Sequence, residues 1–152
     1  MDTQDLYQQI ILDHHHNPVC HHPLEHHNHS IEGHNPLCGD RVTLFAHIKE
    51  SHIQAASFQG AGCAICMASC SLLMQAIQNT SLQSSQTLVH TFFAMLNNKN
   101  YDHDMLGKIE ALKGVNQFPA RIKCATLAWH AWLALATNQT KIISTEAVNE
   151  TN

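Results

Sequence analysis

Arg41-Val42-Thr43-Leu44-Phe45-Ala46-His47-Ile48, then, past Lys49-Glu50-Ser51-His52, Ile53-Gln54-Ala55-Ala56-Ser57-Phe58, is the stretch that decides the fold. Val42, Leu44, Ala46 and Ile48 fall on one face and Thr43, Phe45 and His47 on the other. That period of two belongs to a strand with one buried side. The second run alternates more loosely and the polar tetrapeptide between them turns the chain, so the pair reads as an antiparallel hairpin. Gln59-Gly60-Ala61-Gly62 forms a flexible corner leading into a helix over about residues 64–78, rich in Ala, Ser, Met and Leu, with Cys63 at its N-terminus.

Immediately before the hairpin, Asn35-Pro36-Leu37-Cys38-Gly39-Asp40 sets a thiol and a carboxylate two residues apart. Pro36 pushes Asn35 toward an extended conformation, and Gly39 permits a tight turn with no Cβ beside the thiol. Upstream, Asp2 or Thr3 caps a first helix reaching about residue 13. Residues 14–34 are crowded with histidine (His14, His15, His16, His21, His22, His26, His27, His29, His34), broken by Pro18 and Pro23, and read mostly as loop. Downstream come a polar linker over 78–86, a helix over about 85–96, a polar loop over 97–104 and a short helix over 105–112 ended by Gly114. A last helix starts near Pro119 or Arg121 and ends about Ala136, with Trp129 and Trp132 as core residues. The expected architecture is α+β, with a small antiparallel sheet of about three strands packed against several helices. The domain spans 1–137, and 138–152 is a polar tail.

A chain of 152 residues with 44% hydrophobic content supports one domain with its own core. The net charge of −4 and the lack of any Lys/Arg cluster argue against a nucleic-acid partner. No apolar run is long enough to span a membrane. The acidic start, Met1-Asp2-Thr3-Gln4-Asp5, is unlike a signal peptide. The expected location is therefore the cytoplasm, where cysteines at special positions point to metal or sulfur chemistry before disulfides.

Three of the six cysteines follow chain-turning elements: Cys38 after Pro36, Cys63 after Gly60-Ala61-Gly62, and Cys124 after Phe118-Pro119-Ala120-Arg121-Ile122-Lys123. With Asp40 they make four donors, the coordination number of a zinc site. Spacing alone leaves both a shared site and three unrelated thiols open, because these three do not form the tight pairs of a zinc finger. A carboxylate among thiolates is the more exchangeable ligand, so a shared site would be one that opens or swaps ligands.

Leu6-Tyr7, Ile11-Leu12-Asp13-His14, Asn17-Pro18, Asn35 to Asp40, and Phe58-Gln59-Gly60-Ala61-Gly62-Cys63-Ala64-Ile65-Cys66-Met67-Ala68-Ser69 together closely resemble the IscU/SufU/NifU N-terminal family of iron–sulfur cluster assembly proteins. The resemblance covers about residues 5–136. It is strongest to the SufU branch, through residues 109–115 and 118–127. It implies a SufE/NifU-like fold with Cys38, Asp40, Cys63 and Cys124 as metal ligands. It also implies Zn2+ as the metal, Cys38 as the sulfur acceptor, and a pyridoxal-phosphate cysteine desulfurase as the partner. The alternative within the family is a non-enzymatic scaffold for a [2Fe-2S] cluster. Lys123 stands where the IscU branch has a histidine before its last cysteine, which favours the sulfur acceptor.

Cys66 and Cys70 share a helical face with Cys63. They read as small buried residues, against the alternative of a resolving thiol for Cys63. Cys20 reads as a solvated loop thiol, against the alternative of binding metal with the histidines around it. The histidine stretch reads as a neutral polar loop, with a metal store as the third, weaker functional reading. Arg121 and Lys123 are expected to lower the Cys124 thiol pKa.

Overall fold

The computed structural model describes residues 2–137 and 143–144. The expected hairpin is present, as β2 (Asp40–Lys49) and β3 (His52–Ala61), antiparallel and in register Leu44↔Phe58. Val42, Leu44 and Ala46 are fully buried, as the alternation requires. A bulge between His47 and Ile48 ends the strict alternation, and Ile48 is only partly buried.

A third strand, β1 (His29–Asn35), pairs antiparallel with β2 and lies inside the stretch expected to be loop. The reason it went unseen is its composition. Its inward positions are Ile31, Gly33 and Asn35, and only the first is a large apolar residue. Gly33 is inward because the last helix, over residues 119–136, lies against it, where an added Cβ would sit 3.1 Å from Leu127 Cδ1. The sheet order is β3-β2-β1-β4, where β4 (Ile143–Ser144) pairs in parallel with Gly33 and His34. The rest of the expected tail lies outside the described residues.

Helix α1 (Thr3–His16) is capped by Asp2, whose carboxylate accepts the Asp5 amide. It runs past the expected end because His14 is buried, its Nδ1 2.7 Å from Ser71 Oγ. Helix α2 (Ala64–Ile77) follows the glycine corner. Helix α3 (Leu82–Leu96) begins before the expected residue 85, because Ser81 is its cap. The expected helix over 105–112 is instead α4 (His103–Leu106) followed by a 3-10 segment, Gly107–Gln117. Gly107, at φ +51°, makes the break between them. Helix α5 (Pro119–Ala136) starts at the proline and buries Trp129 and Trp132 completely. Helices α2 and α5 pack on each other and on the sheet, with α1 and the 3-10 segment outside them. The class is α+β.

Candidate metal centre

The β1–β2 turn, residues 36–39, carries Cys38 outward at the surface, with Gly39 at φ +70°. Asn35 and Asp40 face each other at its base, in the last pair of the β1–β2 ladder, and both are fully buried. Cys124, on the second turn of α5, comes from beneath, and its sulfur lies 3.3 Å from Cys38 Sγ. Ligand atoms of Cys38, Asp40 and Cys124 all lie within 4.8 Å of one another.

The buried donors are held in place. Asp40 Oδ1 accepts the Cys63 backbone N–H at 2.8 Å, and Oδ2 accepts Asn35 Nδ2 at 3.2 Å. The same Asn35 amide lies 3.5 Å from Cys124 Sγ. Cys63 is the N-cap of α2, its sulfur accepting the Cys66 N–H at 3.4 Å. Of the four candidate ligands, three thus converge through their side chains, while Cys63 meets the group first through its backbone. Gly62 makes this contact physically allowed, since a Cβ there would lie 2.5 Å from Asp40 Oδ1. Gly60, at φ +151°, brings the chain so close to β2 that a Cβ would overlap Arg41 O at 2.1 Å.

Ser69 fixes α2 against α5 near the site. Its buried hydroxyl donates to Ala125 O at 2.5 Å and accepts the Trp129 indole N–H at 2.8 Å. Neither Asn35 nor Ser69 stands out from the sequence as a positioning residue. Asn35 at least lies inside the motif, just before its proline.

Burial pushes the Cys124 thiol pKa up, reinforced by hydrogen bonding with Cys38, Asp40 and Cys63. Arg121 does act on this thiol, but burial outweighs it, so the net shift is upward, against the lowering expected from Arg121 and Lys123. Arg121 lies exposed on the solvent side, its guanidinium hydrogen-bonded to the Cys124 sulfur, and its own pKa is raised by that bond. The donor set suits a soft-to-borderline divalent ion. Tetrahedral bonds of about 2.0–2.3 Å to one centre place ligand atoms roughly 3.3–3.8 Å apart, and the Cys38 and Cys124 sulfurs, 3.3 Å apart, are already near that spacing. Zinc with thiolate and carboxylate donors fits that arrangement.

The NifU-like N-terminal domain matches residues 6–125. The chain belongs to this family. The zinc-dependent sulfurtransferase SufU of Bacillus subtilis is 44% identical over 134 residues, covering 86% of this chain and 88% of that protein. The iron–sulfur cluster assembly scaffold protein IscU of Streptococcus pyogenes is 35% identical, covering 83% and 79%. Among solved structures, a SUF-system scaffold candidate from Fervidobacterium islandicum superposes with a TM-score of 0.82 at 28% identity, covering 89% of this chain and 99% of that one. A NifU-like N-terminal protein from Brucella abortus, at 18% identity and TM-score 0.79 over 88% of this chain and 94% of its own, shares the fold.

Several histidines of residues 14–34 make structural contacts. His21 stacks on Phe58 with ring centroids 4.5 Å apart, and His27 packs on Phe45 while contacting Leu24 O. Among the described residues, Cys38, Asp40 and Cys124 are the single group of metal-type donors gathered closely enough to share an ion. Cys20 is half-buried at φ +57° with Gln78 Nε2 3.5 Å from its sulfur, and burial raises its pKa. The solvated loop thiol expected there is in fact packed against the core.

Proposed function

We propose that this chain is a zinc-dependent sulfur acceptor for iron–sulfur cluster assembly, with Cys38 as the nucleophile and Cys38, Asp40, Cys63 and Cys124 as the metal-holding set. The donor of sulfur is a pyridoxal-phosphate cysteine desulfurase carrying a persulfide. The observation that carries this reading is an exposed thiol, Cys38, held 3.3 Å from a buried one on a glycine-hinged turn. The 44% identity to a zinc-dependent sulfurtransferase supports it.

When bound, zinc supplies a charge that keeps its thiols deprotonated. The remaining work belongs to the chain. Cys38 Sγ attacks the outer sulfur of the partner's persulfide, a new S–S bond forms on Cys38, and the partner's inner sulfur leaves as a thiol. Gly39 gives the turn the freedom to reach outward, while buried Asp40 and Cys124 stay anchored. The working unit is residues 1–137, to which β4, Ile143–Ser144, adds a short strand beside β1. Its compartment is the cytoplasm, consistent with six free cysteines.

Identity of 35% to an IscU scaffold favours a second reading, assembly of a [2Fe-2S] cluster as cargo on the same residues. Anaerobic purification with metal analysis and a visible spectrum separates the two. One equivalent of zinc and a colourless protein support the acceptor. A brown protein with iron and sulfide in equal amounts overturns it in favour of the scaffold.

A further inference from the structure

Cys63-Ala64-Ile65-Cys66 is a pair of thiols three residues apart across the start of a helix, and the proposed function uses only the first of them. We propose that Cys63 and Cys66 are a redox-active dithiol, closed to a disulfide by a peroxide, which withdraws Cys63 from the metal-holding set. The inference rests on the proposed function for its consequence, the loss of metal, but not for the disulfide itself.

At the start of α2 the geometry favours this pair over Cys66–Cys70, while Cys38 and Cys124, 3.3 Å apart, are the rival pair that the test must separate. Cys63 is an N-cap in extended conformation (φ −69°, ψ 167°), outside the helix proper, and its sulfur already accepts the Cys66 N–H at 3.4 Å. Positions three apart on a helix hold their Cβ atoms about 5–6 Å apart. Closing that to the roughly 4 Å of a disulfide needs movement only at the cap. Cys70 also lies beside Cys66, and the two thiols are hydrogen-bonded. Both are inside α2 and fully buried, however, so joining them would deform the helix itself. Cys63 is half-buried and open to a small oxidant, whereas Cys66, 1% exposed, is shielded from one. An outer attacked thiol and an inner resolving thiol are the division of labour such a motif needs.

The chemistry balances in two steps. The Cys63 thiol reacts with hydrogen peroxide to give a sulfenic acid and water, the sulfur being oxidised and the peroxide reduced. The Cys66 sulfur then displaces the hydroxyl from Cys63, and the Cys66 proton leaves with it as a second water. Reduction by an external thiol reopens the pair.

The test treats the metal-loaded, full-length protein with stoichiometric hydrogen peroxide, then unfolds it, alkylates it and maps disulfides by peptide mass spectrometry. The expected product is an internal Cys63–Cys66 bridge, about 2 Da lighter than the dithiol and reversed by dithiothreitol. Zinc appearing in a chromogenic chelator should track it. In Cys66→Ser the bridge is absent and Cys63 stops at the sulfenic acid, which a second equivalent of peroxide carries to the sulfinic acid. A map with only a Cys38–Cys124 or a Cys66–Cys70 bridge, and none between Cys63 and Cys66, overturns the proposal; the wild-type map decides this even if the variant does not fold. Protein purified without zinc would count against the proposed function and leave the disulfide map to decide this inference alone.

Discussion

Gly62 and Asp40 are in contact that no other residue at position 62 would tolerate: a Cβ there would stand 2.5 Å from Asp40 Oδ1 and 3.1 Å from its Cγ. The carboxylate is fully buried and held by the Cys63 amide, so it has little room to yield. Gly62→Ala should therefore turn Asp40 away from Cys38 and Cys124. The expected cost is about 1–3 kcal/mol of stability together with at least about tenfold weaker zinc binding. Zinc titration against a competing chelator checks it, and unchanged affinity would show that Asp40 does not need this position.

Cys38 and Cys124 should respond differently to removal. Cys38 is exposed, so Cys38→Ala should leave the stability of the zinc-free protein within about 0.5 kcal/mol. It should nevertheless abolish sulfur uptake from a desulfurase supplied with cysteine. Cys124→Ala should act mainly by weakening metal binding, because its sulfur is buried beneath the turn. Peptide mass spectrometry for an added sulfur is the measurement, and a persulfide on Cys124 in Cys38→Ala would reverse the assignment.

Zinc should add stability without being required for folding. The core around Trp129, Trp132, Phe58 and Phe92 is complete without any metal ligand except Cys124. Removing zinc present at about a hundredfold over its dissociation constant would cost about 2.7 kcal/mol, or roughly 5–10 °C in melting temperature. Helical circular dichroism at low temperature should persist after chelation. Its collapse would show that the metal, not the core, holds the fold.

Ser69→Ala should loosen α2 from α5. It leaves the buried Trp129 indole N–H and Ala125 carbonyl without their partner, a loss of about 1–3 kcal/mol. Denaturant unfolding measures it. Ser69→Cys, which keeps only a weak donor and acceptor, should rescue little.

His130 makes stability depend on pH. It is largely buried, packed on Phe93 at 4.6 Å, and burial lowers its pKa from 6.5 to about 4. Between those two values the unfolded chain binds more protons than the folded one, so this contribution is complete above pH 6.5 and is lost as pH falls toward 4. The loss is on the order of 2–3 kcal/mol. The His130→Phe variant should show a flatter melting temperature between about pH 7 and about pH 4.5 than the parent. Parallel curves would mean that other groups carry the acid sensitivity.

The residues alone determined the β2–β3 hairpin, the helix that follows it, and the three cysteine contexts, because each rests on a local pattern. Val42, Leu44 and Ala46 alternate, Gly60-Ala61-Gly62 breaks the strand, and Pro36 and Gly39 shape the turn around Cys38. Strand β1 was invisible for the converse reason. Gly33 and Asn35 face inward because of Leu127 and Asp40, partners that no local pattern contains. Tertiary structure alone brought Cys124 within 3.3 Å of Cys38 across 86 positions of chain, buried Asp40 under the Cys63 amide, and raised the Cys124 pKa where neighbouring positive charge suggested the opposite. A thiol's neighbours in sequence specify its charge environment only in part. Desolvation depends on what the rest of the chain packs above it, and here that effect is the larger.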